Sequence, residues 1–260
     1  MHRYTVISMK RIIISAVAMA AFSASAKAFT LSLPEDIRYS VKLGYNIGGT
    51  APLGIPATIR KMNRYKMQSN YSLAFDMQKQ IKGRWGAMTG IKLENKGMEV
   101  DATVKNYHMS MVKGSSRLTG YYTGNTVIKA EEWALTLPIQ ATYTPAKNVL
   151  VRLGPYVSYV TSRKFDGYVY SGYLRENTPT GAKILMGDSE SEGATFDFSD
   201  DMRHWQFGID AGVDWYVYKR WGIYADLSWG FTNIFKKGFD TIEQKLYPIY
   251  GTVGVTYNLK

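Results

Sequence analysis

The residues capable of acid–base chemistry are few. Of three histidines, only His108 and His204 lie beyond the first 28 residues. A histidine paired with a serine or an aspartate is one common basis of a nucleophilic centre. The stretch His108-Met109-Ser110 offers such a pair, but this spacing is common by chance and no third partner is evident. His204 precedes Trp205 at the start of a predicted strand, a usual position for a polar residue at an interface. The sequence therefore predicts no catalytic centre.

Residues that could bind a metal or a cofactor are also few. A stretch rich in Gly, Ser, Asp and Glu, 187–201, reads as a mobile loop, and its carboxylates Asp197, Asp200 and Asp201 are of the kind that bind Ca²⁺. Their spacing is not that of an EF-hand, and there is no Walker loop, dinucleotide fingerprint or zinc spacing. The absence of cysteine excludes a thiolate nucleophile and a cysteine metal site. We expect no metal and no cofactor.

One basic segment is a candidate binding surface. It carries Arg60, Lys61, Arg64 and Lys66, with Tyr65 among them. Such a cluster contacts phosphate or carboxylate groups, here those of lipopolysaccharide or a capsule, or is simply a solvated basic loop. The sequence favours neither alternative.

The N-terminus determines which partners are plausible. Lys10 and Arg11 precede the apolar run 12–22, and small residues follow up to Ala28. These are the parts of a signal peptide, predicted over 1–28, with cleavage after Ala26 or Ala28. Without the four cations of that segment the formal charge falls from +11 to +7. In an exported chain, this balance favours acidic lipid headgroups or polyanionic surface sugars over nucleic acid.

The predicted domain, 29–260, contains eight segments in which apolar and polar residues alternate. This period of two is that of β-strands, and each segment has about the ten residues that a tilted strand needs to cross a bilayer. The segments are Arg38–Ile47, Asn70–Lys82, Arg84–Glu94, Glu132–Thr144, Asn148–Ser162, His204–Tyr218, Trp221–Phe231 and Tyr247–Lys260.

The links between these segments alternate in length. Short links follow the second, fourth and sixth segments, and long links follow the others. Short turns on one side and long loops on the other are typical of outer-membrane barrels. We therefore predict an all-β fold: an eight-stranded, antiparallel, up-and-down transmembrane barrel in the bacterial outer membrane.

The two faces of the segments differ in chemistry. The apolar face carries an aromatic girdle, which favours a membrane barrel over a soluble lipocalin-like one: Trp85, Trp133, Tyr143, Trp205, Trp215, Trp221, Trp229 and Tyr257. The polar face carries seven charges, expected to pair inside a narrow, filled lumen: Lys42, Asp76, Lys92, Arg152, Asp210, Asp214 and Asp226.

The second long link has strand-like stretches of its own, 98–111 and 118–129, around Gly114. They predict a hairpin that projects beyond the membrane. It either extends the barrel wall, which we favour, or offers an edge to a partner.

The segments also carry a family resemblance. The chain resembles the PorT-type outer-membrane β-barrel proteins of the Bacteroidetes group, related to the small OmpX-like barrels. The similar pieces are Val41-Lys42-Leu43-Gly44-Tyr45-Asn46, Arg84-Trp85-Gly86, Thr89-Gly90-Ile91, Lys96-Gly97, Leu137-Pro138-Ile139, Gly154-Pro155-Tyr156-Val157-Ser158-Tyr159 and Gly230-Phe231-Thr232-Asn233-Ile234. The resemblance implies an eight-stranded outer-membrane barrel; one such protein is associated with assembling a secretion system.

Together these features predict a non-enzymatic barrel at the cell surface. Its long loops would bind a surface glycan or a protein, support membrane integrity, or assemble with a secretion or surface system. Its other partners would be outer-membrane lipid and lipopolysaccharide, with no nucleic acid. The alternatives are a barrel enzyme acting on lipid A through His108, a narrow channel, and a soluble periplasmic barrel.

Overall fold

A computed structural model describes residues 34, 36–54, 56–242 and 244–259. The predicted signal peptide lies outside the described residues. The strands are β1 (Ile37–Pro52), β2 (Ile59–Met67), β3 (Tyr71–Lys82), β4 (Trp85–Lys113), β5 (Ser116–Ala146), β6 (Val149–Glu176), β7 (Lys183–Met186), β8 (Ala194–Asp197), β9 (Trp205–Tyr218), β10 (Trp221–Gly230) and β11 (Leu246–Asn258). A 3-10 turn, Ser199–Asp201, follows β8.

Eight of these strands close into a ring. Its order is β1-β3-β4-β5-β6-β9-β10-β11, all neighbours are antiparallel, and β11 pairs with β1. Each of the eight predicted segments falls within one strand of this ring or overlaps it almost entirely. The fold prediction, an eight-stranded antiparallel barrel, is therefore confirmed.

Burial in the barrel is the reverse of that in a soluble protein. Leu43 on β1 is 51% exposed, whereas its neighbour Lys42 is 2% exposed. Along β9, Phe207 is 49% exposed while Gln206 is 1% exposed. The apolar residues therefore face outward and the polar residues fill the lumen, as the alternation predicts for a barrel in lipid.

The two ends of the barrel differ. At one end, called the short-turn end, β3–β4, β5–β6 and β9–β10 are joined by only two residues each. At the other, called the long-loop end, β4, β5 and β6 continue for many residues beyond the ring. The predicted hairpin is these extensions of β4 and β5, paired from Met98↔Ala130 to Lys113↔Ser116.

Two links expected to be loops contain strands. The basic segment forms β2, which pairs with the extension of β4. The acidic stretch predicted as a mobile loop contains β8, which pairs with both β6 and β4. Both loop predictions were therefore wrong. Neither short segment shows the apolar–polar alternation of a strand, and each forms a strand because it pairs with a longer one.

The extensions enclose an apolar core outside the barrel. Tyr122, Leu174, Met202, Ile234 and Phe235 are fully buried in it. Residues of β8 and of the β10–β11 link therefore pack against the extended strands, and Met202 forms an isolated bridge with Phe235. This core holds together the strand extensions and links of the long-loop end, which we call the outer domain (Ile59–Met67, 98–130, 163–202, 232–242 and 244–246).

Within the described residues, no helix is both long enough and apolar enough to span a bilayer.

Candidate functional site

One face of the outer domain is polar and aromatic. Paired residues of antiparallel strands point to the same side of a sheet, and the register aligns Arg64, Asp101, Val127 and Tyr168 across β2, β4, β5 and β6. Adjacent rows add further polar side chains. We call this surface the polar face: Lys61, Asn63, Arg64, Lys66, Glu99, Asp101, Thr103, Asn125, Lys129, Asp166, Tyr168 and Tyr170. Val127 of the same row is buried. The opposite side of the same strands carries Met98, Val104, Phe165 and Val169 of the apolar core.

Hydrogen bonds connect the polar face across strands. Asn63 Nδ2 donates to Asp101 Oδ1 and to Thr103 Oγ1, both at 3.1 Å. Thr103 Oγ1 donates to Asn125 Oδ1 at 2.8 Å, and Tyr170 Oη donates to Asp101 Oδ2 at 3.0 Å. These hydrogen bonds thus hold the side chains in position relative to one another.

Two tyrosines form the aromatic part of the polar face. The rings of Tyr168 and Tyr170 lie 5.8 Å apart with an interplanar angle of 45°. Partial burial, and then the Asp101 carboxylate, raise the pKa of Tyr170, so its hydroxyl stays protonated and remains a donor. Such rings present apolar area together with a polar handle.

The cations of β2 stand at the edge of this face. Arg64 Nη2 lies 3.3 Å from Glu99 Oε1, in an exposed ion pair. Arg60, Lys61 and Lys66 are exposed, and none of them has a carboxylate partner in the part of the chain that the structure describes. β2 pairs only with β4 among the described strands, so these cations line a sheet edge.

The His108–Ser110 pair has no catalytic geometry among the described contacts. Ser110 Oγ lies 2.7 Å from Thr119 Oγ1, and the His108 ring packs edge-on against Tyr121. His204 is also held structurally, because its Nδ1 lies 2.8 Å from the Val160 carbonyl and its ring stacks on Tyr159.

The acidic residues of the third link do not converge. Asp197 Oδ1 accepts hydrogen bonds from Ser199 N at 2.9 Å and from Ser199 Oγ at 2.6 Å. Lys236 donates to the backbone carbonyls of Asp200 and Asp201. In the described ranges, no group of three or more histidine or acidic side chains is arranged to hold a metal.

The structure brings five of the seven predicted lumen charges into one cluster. Lys42 Nζ lies 2.9 Å from Asp76 and 3.0 Å from Asp214. Arg152 Nη2 lies 2.7 Å from Asp214 and 2.5 Å from Asp226. These ion pairs cross the lumen between β1, β3, β6, β9 and β10, at the half of the barrel nearer the short-turn end.

Lys92 and Asp210 are placed differently. Lys92 pairs with Glu94 at 3.1 Å, and Glu94 also binds Lys96 at 2.9 Å. Asp210 Oδ1 is buried without a hydrogen-bond partner among the described residues. Glu94 and Lys96 were not predicted as lumen charges. Glu94 could have been, because it lies two residues after Lys92 on β4 and so points to the same, inward side. Glu132, which accepts two hydrogen bonds from Gln206, was also missed.

The predicted girdle residues lie in two bands. At the short-turn end, the ring centroids of Trp85 and Tyr143 are 4.8 Å apart, and those of Trp221 and Tyr257 are 4.7 Å apart. Trp215 lies near these pairs, while the other band contains Trp133, Trp205 and Trp229. Trp133 and Tyr143 are ten residues apart on β5, which is roughly 33 Å along a strand and about 25 Å once it is tilted.

The chain is similar to several solved structures. One is Ail, the attachment invasion locus protein of Yersinia pestis, in complex with the heparin analogue sucrose octasulfate (10% identity, TM-score 0.39, 86% of this chain and 99% of that chain). Others are OprG from Pseudomonas aeruginosa (12%, 0.32, 86% and 94%) and CarO2 from Acinetobacter baumannii (14%, 0.35, 85% and 99%).

A search of curated proteins gave no match. The family described as "Outer membrane protein beta-barrel domain" matches residues 23–236. Since this match spans most of the chain and the described strands close into an eight-stranded barrel, the protein belongs to the outer-membrane β-barrel family and is a protein of the bacterial outer membrane.

Proposed function

We propose that the protein is a non-enzymatic surface receptor whose polar face binds an anionic saccharide, one that carries phosphate, sulfate or carboxylate groups. The observation that carries this proposal is that cations of β2 without a carboxylate partner among the described residues share one sheet face with the ring pair Tyr168 and Tyr170 of β6, across β4 and β5. Short turns of outer-membrane barrels are periplasmic and long loops extracellular, so this face would lie outside the cell.

The chemistry of the polar face suits such a ligand. Lys61 and Lys66 supply charge without a competing carboxylate partner among the described residues, while Asn63 and Asn125 supply both donors and acceptors. Tyrosine rings provide flat apolar area, which matches the less polar faces of sugar rings. Lipopolysaccharide and capsular polymers carry these groups, and they are the sources nearest to an outer-membrane surface.

A solvated edge is the competing interpretation. Charged side chains on an edge strand also prevent pairing with other chains. In that case the cations of β2 need no ligand, and replacing them would leave saccharide binding unchanged.

The test is a titration of the refolded protein in detergent with sucrose octasulfate, and with sucrose as the neutral control. We expect the double variant Lys61→Gln/Lys66→Gln, and separately Tyr168→Ala, to lose several-fold in affinity for the sulfated sugar. The matched control is Lys237→Gln/Lys245→Gln, which removes the same charge from the exposed β10–β11 link. If both double variants lose the same affinity, binding reflects net charge and the proposed site is wrong.

Catalysis on lipid A through His108 is the alternative from another class. The contacts of Ser110 with Thr119 and of His108 with Tyr121 favour a structural role for both side chains. Mass spectra of lipid A from cells with the protein, without it, and with His108→Ala should be identical. A change that requires His108 would overturn the non-enzymatic proposal.

A narrow channel is the third alternative. We propose that the lumen charges close the barrel, because Lys42 and Arg152 bridge strands from opposite sides of the lumen. Planar-bilayer recordings should show no stepwise conductance. The relation to the PorT-type proteins and the signal peptide both remain predictions.

A further inference from the structure

The lipid-facing wall of the barrel has an apolar groove near the short-turn end. Its volume is about 580 Å³, and its lining includes Val149, Val213, Trp215, Ile223 and Val253, with Ala225 in the middle. Ala225 pairs with Val213 on one side and with Val253 on the other. Because Ala225 is the smallest outward side chain of this row, the wall is indented there.

Cations stand at the end of this groove. The β5–β6 turn carries Lys147, two residues before Val149, and the β9–β10 turn carries Lys219 and Arg220. The two turns are adjacent, since Tyr216 N donates to the Asn148 carbonyl at 2.8 Å. Neither turn nor its flanks, 144–150 and 215–223, contains an acidic residue.

The side chains of these three cations have different contacts. Arg220 Nη1 donates to the Leu259 carbonyl at 3.1 Å and so has a structural role. Lys219 Nζ lies 5.1 Å from the centroid of the Tyr218 ring. Lys147 and Lys219 are both exposed, and neither forms an ion pair in the described parts of the chain. Both ammonium groups are therefore available to an anion at the membrane surface.

We propose that this groove and its two lysines form a binding site for one anionic glycerophospholipid of the periplasmic leaflet. The headgroup phosphate would lie between Lys147 and Lys219, and an acyl chain would lie over Ala225. The charge and the apolar lining together favour a lipid over free phosphate, which would make no use of the groove. This inference concerns the end of the barrel opposite the polar face and is independent of the proposed saccharide site.

The test is native mass spectrometry of the refolded protein, with phosphatidylglycerol or phosphatidylcholine added to the detergent. We expect phosphatidylglycerol to remain bound in preference to phosphatidylcholine. In Lys147→Gln/Lys219→Gln, retention should fall roughly tenfold, since each lysine near the surface contributes to anionic lipid binding. Glutamine removes the charge but keeps a long, polar side chain, and it leaves the left-handed backbone of residue 219 (φ 49°) equally strained.

The barrel offers a matched control on its other side. The β3–β4 turn lies opposite the β9–β10 turn in the ring, and Lys82→Gln/Arg84→Gln removes the same charge there. A second variant, Ala225→Phe, fills the groove from the lipid side, with Ala87→Phe, also exposed and outward-facing, as its control.

We expect both groove variants to lose lipid and both controls to retain it, with heat-dependent gel mobility reporting that all four are folded. Equal loss in the two charge variants, or no loss in Ala225→Phe, would overturn the proposal.

Discussion

Arg152 Nη2 lies 2.7 Å from Asp214 Oδ1, and this ion pair joins β6 to β9 inside the lumen. The same guanidinium nitrogen reaches Asp226 on β10, and Asp214 is shared with Lys42 on β1, which also pairs with Asp76 on β3. Five strands are thus held to one another by side chains as well as by their backbone ladders. Each of these charges is buried, so each depends on its partners.

Removing the arginine should therefore destabilise the barrel. Arg152→Met leaves two carboxylates without their shared cation and should lower the free energy of unfolding by about 3–5 kcal/mol. Asp214 retains Lys42 at 3.0 Å, whereas Asp226 has no other ion pair among the described residues. Adding Asp226→Asn should thus restore more stability than adding Asp214→Asn, as measured by urea unfolding in micelles. Equal recovery would contradict this assignment.

The absence of a side chain at Gly212 leaves room for this cluster of ion pairs. A Cβ at this position would overlap Asp226 Oδ1 and lie 2.8 Å from Arg152 Nη2. We expect Gly212→Ala to cost about 1–3 kcal/mol of unfolding free energy, because packed groups would have to move. The control is Gly251→Ala, whose Cβ would meet its nearest atom at 3.7 Å. The same urea titration measures both, and similar costs would show that the lumen is not tightly packed at Gly212.

Tyr122 links the core of the outer domain to its backbone. Its hydroxyl donates to the Tyr170 carbonyl at 2.7 Å and to the Asn125 carbonyl at 3.1 Å, and burial raises its pKa. Tyr122→Phe leaves these partly buried carbonyls without that donor and should cost about 1–3 kcal/mol locally. Hydrogen exchange should accelerate around Asn125 and Tyr170 but not in the ring strands near Trp221. Uniform acceleration throughout the barrel would contradict a separate outer domain.

Asp197 should titrate anomalously. The Ser199 hydroxyl, and then the Ser199 amide, hold the pKa of Asp197 below its ordinary value near 3.8. Its stabilising effect is thus fully present above pH 3.8 and is lost as pH falls through the lower folded pKa. Ser199→Ala should raise this pKa toward the ordinary value, as followed by NMR of the carboxyl carbon. An unchanged pKa would mean that the hydroxyl is not the main cause.

The barrel was predictable because its chemistry repeats within each strand. Along β9, from Trp205 to Val217, outward apolar and inward polar residues alternate without depending on any distant part of the chain. The strand ends at the long-loop end were less predictable. Ile47 was expected to end β1, which runs to Pro52, because pairing with β11 continues beyond the apolar pattern.

The candidate site was predictable only in part. The charges of β2 are visible in the sequence, but the strand itself depends on the partner edge of β4. Tyr170 and Asn125 were missed because they meet Asp101 and Thr103 only through the register of three strands. Which lumen charges pair with each other also depends on the register of distant strands, since Arg152 and Asp226 are 74 residues apart.

The apolar core of the outer domain limits the order in which the protein can be assembled. An eight-stranded barrel has room inside only for its own side chains, so a folded core that includes Tyr122 and Phe235 cannot pass through it. The segments that build this core must cross the membrane as extended chain, while the ring is still open. The core can therefore form only after these segments have reached the far side of the membrane.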